Sequence, residues 1–313
     1  MSEAPMGSSD DASGGPSYMV MNSGTIRSPI RPEDLGTATI TPDGVFEAGS
    51  YQTFTLTYTC GKFGIDDSGS MRICFRFASD QTRPQFEDPK RPNYTIIEAS
   101  NNAVLECRYD PKGNVRPWDR TLYIKVVKGF MKVGDTITIK FGITDGGSLG
   151  MRLQTFCEDT FEFRVMVDPI ATYNYQPLPD QPIIKIVPGK PEQYIAVWPT
   201  MQRAGEAFSL KLKGEDKWGN PSDQCDTTLS LKASAPVEGL PETVTFKPGQ
   251  FAVEISDLSV KSSGDVTLDF FHADGSLAAQ ANPLRIVDKA ALLPFWGDLH
   301  GQSEESIGTN SAD

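Results

Sequence analysis

In the stretch YQTFTLTYTC (residues 51–60), Phe54, Leu56, Tyr58 and Cys60 fall at even positions, and Thr53, Thr55, Thr57 and Thr59 put hydroxyls between them. A repeat of two cannot line one face of a helix, whose repeat is 3.6, but it lines one face of a strand. The β-branched threonines fit a pleated, half-wet surface, so the segment reads as a half-buried antiparallel strand. The same alternation returns in TLYIKVV (Leu122, Ile124, Val126), DTITIKF (Ile137, Ile139, Phe141) and TFEFRVMV (Phe161, Phe163, Val165, Val167). Turn clusters DDSGS, DPKGN and TDGGS separate these segments, as expected where Gly, Asp, Asn and Ser supply turn conformations. No stretch holds a helical period, so this part of the chain is expected to be a β-sandwich.

Six prolines lie between 169 and 192 (Pro169, Pro177, Pro179, Pro182, Pro188, Pro191). Proline cannot donate to a strand ladder and stiffens extended backbone, so the first domain boundary is expected here. Alternation then resumes in EAFSLKLKG (Phe208, Leu210, Leu212), TTLSLKA, QFAVEIS (Phe251, Val253, Ile255) and DVTLDFF (Val266, Leu268, Phe270). The expected organisation is all-β. A disordered leader, too polar to offset its ordering entropy, covers 1–17. Two tandem β-sandwiches follow at 18–180 and 181–288, and a different segment occupies 289–313. The second sandwich also resembles the immunoglobulin-like repeats of bacterial surface and enzyme-accessory proteins, through DKWGNPS (216–222) and ANPLRIV (281–287). Such sandwiches host many unrelated roles.

Acidic residues outnumber basic ones by 41 to 29, and the net charge of -12 repels phosphate backbones, which sets nucleic acid aside. No apolar run approaches the length of a membrane helix, and the N-terminus has acids where an export signal has bases. The expectation is a soluble, cytoplasmic chain with no membrane partner. Five cysteines (Cys60, Cys74, Cys107, Cys157, Cys225), none in a C-x-x-C pair, fit thiols acting as small apolar fillers in a reducing compartment. A Cys60–Cys74 bridge stays open at this level. Asn93 in NYT matches a glycosylation acceptor, a chance match without an export signal.

The chemistry-bearing stretch is AALLPFWGDLHGQS (290–303). On a strand starting near Phe295, the side chains of Trp296, Asp298, His300 and Gln302 share one face. Imidazole is the commonest metal ligand, and a nearby carboxylate fixes its tautomer. FWGDLHGQSEESIGTNSAD resembles the opening motif of the polymerase-and-histidinol-phosphatase (PHP) class of metallohydrolases. It is closer still to a large uncharacterised family in which a PHP-like barrel follows N-terminal β-sandwiches. That likeness extends more loosely to GIDDSGSMRICFRF, GDTITIKFGITDGGSLGMRLQTF and FRVMVDPIATYNYQPLP in the first sandwich.

The resemblance implies that 289–313 is the start of a truncated PHP-like metallohydrolase domain, the first strand of its catalytic barrel, with His300 as a first metal ligand and Asp298 as a neighbouring acceptor. Gln302 stands where the class has a second histidine. An amide oxygen is a weaker, neutral donor, so a conventional cluster is in question and Gln302 is suited to orienting water or substrate. A hydrolytic site takes at least three protein ligands and a bound water. The chain has only two histidines, and thirteen residues follow His300. His272, at a strand end in FFHADG, reads as a surface residue.

Two hypotheses follow. In the first, the chain is the non-catalytic accessory region of a PHP-like metal-dependent hydrolase, inactive alone. Its partner is then the remainder of the barrel or a chain supplying it, and its cofactor is zinc, manganese or iron, held only by the complete barrel. In the second, it is a stand-alone tandem β-sandwich module that binds a glycan or a protein, with Trp118 and Trp218 as candidate aromatic platforms, although Trp218 beside GNP reads first as a turn aromatic packed on the sandwich edge. GITDGGSLG reads as a hairpin loop, and the acidic pairs Asp66–Asp67 and Glu304–Glu305 as solvated turn residues.

Overall fold

The protein is described by a computed structural model that covers residues 30–297. Within them the chain is all-β, with two tandem β-sandwiches and one short 3-10 turn at Pro32–Asp34. Among the described residues no helix is long and apolar enough to cross a membrane. The leader 1–17 and most of the closing segment lie outside the described residues.

In the first sandwich, one sheet runs in the order Gly36–Thr41, Phe54–Cys60, Thr136–Phe141, Ile96–Ala99. The facing sheet runs Gln176–Pro177, Arg164–Asp168, Ser70–Phe75, Arg120–Lys128, Val104–Asp110. All of these pairings are antiparallel. The alternation in Phe54–Cys60 is realised as expected: Phe54, Leu56, Tyr58 and Cys60 are buried and the threonines between them half-buried. Between the sheets, Phe54, Phe75, Phe141, Phe161 and Phe163 form an aromatic cluster with centroids 5.4–6.3 Å apart, within the range of favourable edge and tilted contacts.

TFEFRVMV departs from the single strand its alternation predicts. Glu158–Glu162 pairs with Ile183–Val187, whereas Arg164–Asp168 pairs with Ser70–Phe75. The chain changes sheet at Phe163, which is fully buried at the corner. The alternation persists because both halves face the same core.

The boundary after residue 180 also needs correction. Ile183–Val187 runs parallel to Gly44–Glu47, and Ile184 and Ile186 belong to the first core. The proline-rich stretch contributes Gln176–Pro177 at a sheet edge and buries Leu178 in the same core. The prolines bracket an IIKIV segment whose N–H groups are intact and whose alternate isoleucines need burial, so a strand forms between them.

The second sandwich comprises the sheet Gln193–Val197, Phe208–Glu215, Ala252–Leu258, the sheet Met201–Arg203, Leu284–Val287, Gly264–Val266, and the sheet Thr243–Thr245, Thr228–Ala233, Leu268–Phe271, Leu277–Gln280. Phe208, Leu210, Leu212, Val266, Leu268 and Phe270 are buried as their alternation requires. Phe251 is not. It precedes an edge strand and is 53% exposed, while Val253 and Ile255 are half-buried against the core.

Candidate functional site

Two places bring unusual side chains together. The first is the joint between the sandwiches, built by the DKWGNPS turn. Asp216 accepts hydrogen bonds from the backbone N–H of Gly189 (3.1 Å), Trp218 (2.9 Å) and Asn220 (3.0 Å), and from the Asn220 amide at 2.9 Å. Burial alone would raise its pKa, but these donors hold it below the ordinary aspartate value by favouring the carboxylate. The turn so fixed reaches across to the first sandwich. Asn220 donates to Thr155 O (2.9 Å) and accepts from Cys157 N (3.2 Å). Trp218 Nε1 donates to Ala48 O at 3.1 Å. Beside it opens a cleft of about 430 Å³, lined in part by Glu47, Tyr51, Lys190, Glu192 and Lys217.

The second place is the outer face of the five-stranded sheet. Register sets Arg108 opposite Tyr123 and Tyr123 opposite Arg72, and the segment before Gln176–Pro177 lays Tyr175 on the far side of Arg72. The Arg108 guanidinium lies 4.9 Å from the Tyr123 ring centre, and that of Arg72 lies 6.0 Å from Tyr123 and 3.6 Å from Tyr175. A guanidinium stacked on a ring keeps its in-plane N–H donors available. Arg72 spends one on Asn114 Oδ1 (3.2 Å), while its Nε is buried with no hydrogen-bond acceptor. The Tyr175 hydroxyl is tied to Ser70 Oγ at 2.6 Å, and burial pushes its pKa up to about 12.

Towards the joint, Arg76 and Arg164 both approach the Trp118 ring, at 4.9 and 4.8 Å. They meet Glu158 and Glu162 at 3.7 Å each. Burial raises the pKa of both glutamates, against the pull of those arginines.

The aromatics singled out from sequence are therefore occupied: Trp118 by guanidiniums, and Trp218 by the other sandwich. Asp298, His300 and Gln302, the expected metal ligands, lie outside the described residues. Before them, Leu292, Phe295 and Trp296 are exposed and the chain is irregular, with the Trp296 indole N–H bonded to Thr200 Oγ1 (3.0 Å). Among the described residues, no group of three or more His, Cys, Asp or Glu is placed to hold a metal ion.

His272 stacks edge-on to Tyr194 at 5.9 Å and joins a turn to Ser276. GITDGGSLG is a loop following Thr136–Phe141, and Asn93 is fully buried, donating to Thr82 O. Cys60 and Cys74 are both free thiols, and the Cys74 Sγ lies beside the Met166 Sδ at 3.9 Å.

Sequence reading missed the arginine–tyrosine row, because its members come from three strands and a loop and join only through register. The one signal available was the pairing of arginines with aromatics at polar positions of alternating strands.

These two sandwiches, joined by a built turn, define a tandem β-sandwich protein. No family model matches the chain, and no curated protein matches it. Among solved structures it is similar to the adhesin InvE of Yersinia pseudotuberculosis, with 12% identity over 80% of this chain and 58% of that one and a TM-score of 0.25. It is similar to an ICAM-5 D1–D4 ectodomain fragment, with 11% identity, 81% and 52% coverage and a TM-score of 0.25. A marsupial T cell receptor gives 9% identity, 81% and 97% coverage and a TM-score of 0.29. The chain spans little more than half the length of the first two.

Proposed function

We propose that the two sandwiches form a non-catalytic binding module whose ligand is a glycan or protein bearing acidic groups. The observation that carries this reading is the row Arg108–Tyr123–Arg72–Tyr175, in which tyrosine rings hold two guanidiniums on a sheet face of an otherwise acidic chain. Carboxylates and sulfates are recognised by such pre-set donor pairs. Local acids temper the row: Asp110 pairs with Arg108 at 3.3 Å. The test is an array of acidic and neutral glycans, with affinity capture of proteins in parallel, comparing the native chain with Arg72→Ala and Arg108→Ala. Loss of an acidic ligand with both variants supports the reading. A ligand retained by both variants refutes it.

A second reading has its own observation. WGDLHGQS is similar to the opening of PHP-like metallohydrolases, and Phe295 and Trp296, which lead into it, are exposed beyond the second sandwich. In this reading the module is the accessory region of a metal-dependent hydrolase, its partner is the remaining barrel, and zinc, manganese or iron is held only there. Its test is turnover of phosphate and carboxylic esters with added zinc or manganese. A gene continuing past Asp313 with further His and Asp motifs supports it, whereas metal-dependent turnover by this chain alone, abolished by His300→Ala, overturns the accessory role.

A further inference from the structure

Strand Gly36–Thr41, GTATIT, is an edge of the four-stranded sheet and pairs with Phe54–Cys60 alone, without a register break. Which of its backbone groups that pairing uses follows from the far side of Phe54–Cys60. There the Cys60 N–H donates to Asp135 O and the Cys60 carbonyl accepts from Gly134 N–H, both at 2.9 Å, so the Cys60 backbone points away from Gly36–Thr41. Backbone direction alternates along an antiparallel ladder. Thr55, Thr57 and Thr59 therefore turn towards the edge strand and engage Thr41, Thr39 and Thr37. Ala38 and Ile40 are left to aim their N–H and C=O groups outward. Among the described residues no hydrogen bond reaches those groups.

An open edge is a template for another strand, and proteins blunt such edges with charges, prolines or bulges. Other long edges of this protein are blunted in that way: Ile96–Ala99 carries Glu98, Val104–Asp110 carries Arg108, and Ala252–Leu258 carries Glu254 and a register shift. Gln193–Val197 is uncharged but lies against the edge strand Leu277–Gln280. Gly36–Thr41 has no such device. It holds no ionisable side chain and no proline, and Thr37, Thr39 and Thr41 are exposed on its outer face.

We infer that this edge pairs with the same edge of a second copy of the chain, antiparallel about a dyad at Thr39. A chain of net charge -12 repels itself, and here two copies meet without setting like charges opposite each other along the paired strands. The dyad places Thr39 opposite Thr39 and Thr37 opposite Thr41, which are favourable hydroxyl pairs. It also places Ala38 opposite Ile40, so that the outward N–H and C=O groups of each bond those of the other. Gly36, at φ +108°, and Pro42, which has no N–H, fall outside the bonded stretch. The nearest charges lie past the strand ends. Asp43 follows one end, and Arg31, Glu33, Asp34 and Lys62 surround the other, where Arg31 pairs with both acids and the Lys62 N–H bonds Asp34 O. Those cations and acids balance, so the turn that Asp43 of the second copy approaches is neutral. The edge belongs to the sheet opposite the arginine–tyrosine row and is independent of its ligand.

The test is sedimentation velocity of the full chain from dilute to concentrated solution, with amide-resolved hydrogen exchange. A reversible dimer is expected, in which the Ala38 and Ile40 N–H groups exchange freely in the dilute monomer and slowly in the dimer. Ala38→Pro removes an outward donor at a place where an edge strand accepts proline, so it should abolish the dimer at unchanged melting temperature. Thr39→Lys sets two ammonium groups face to face at the dyad and should weaken the dimer about fivefold or more. A chain that is monomeric at every concentration overturns the inference. So does a dimer that keeps its affinity in both variants. Protection of Ala38 and Ile40 that does not change with concentration also overturns it, and would assign the edge to residues 1–29 of the same chain.

Discussion

Trp218 of the second sandwich lies so close to Gly49 of the first that a Cβ at residue 49 would fall 2.4 Å from the indole Nε1. Gly49 also sits at φ +68°, where L side chains are strained. Gly49→Ala therefore meets two penalties, and the indole must leave its seat. We expect a loss of about 1–3 kcal/mol and a joint that opens, read as a lower melting temperature and a larger radius of gyration in solution scattering. A variant as compact and stable as the native protein would show that the contact does not fix the joint.

Asp216 links the same joint to pH. Its folded pKa lies below the ordinary value, so the stability it confers is fully present above the unfolded pKa of about 3.9 and is lost as pH falls through the folded pKa. Urea titrations between pH 7 and pH 2.5 should show an acid-side loss that Asp216→Asn removes. An identical acid profile in the variant would count against the assignment.

Phe163 turns the chain from one sheet to the other and touches Phe54, Phe75, Phe141 and Phe161. Phe163→Ala should cost about 3–5 kcal/mol, measured by chemical denaturation. A cost below about 1 kcal/mol would mean that the corner repacks freely.

Cys157 is exposed, yet its thiol pKa is pushed up to about 11, by partial desolvation first and then by the charges of Asp216, Asp159 and Asp223. Because the thiolate is the reactive form, its alkylation at pH 7.5 should be on the order of tenfold or more slower in the native chain than in urea. Equal rates, resolved by peptide mass spectrometry, would contradict this.

Trp296 is 81% exposed and keeps one hydrogen bond, to Thr200. Trp296→Ala should change stability by less than about 0.5 kcal/mol. A loss of several kcal/mol would make the closing segment an integral part of the second sandwich.

The sequence alone determined the all-β class, the core of most strands and the existence of two sandwiches, because a period of two with one face buried is a local property that survives any arrangement of neighbours. It predicted the burial of Phe54, Leu56, Tyr58, Leu210 and Phe270 residue by residue. Three further features were settled only in the tertiary structure: the strand Ile183–Val187 joins the first sandwich across a proline-rich stretch, the partner on which the Trp218 turn packs is the first sandwich, through Ala48 O, and Arg72, Arg108, Tyr123 and Tyr175 share one face. Each depends on which strand pairs with which and in what register. Those choices are made by contacts between residues far apart in the chain, such as Trp218 with Gly49, and local alternation carries no record of them.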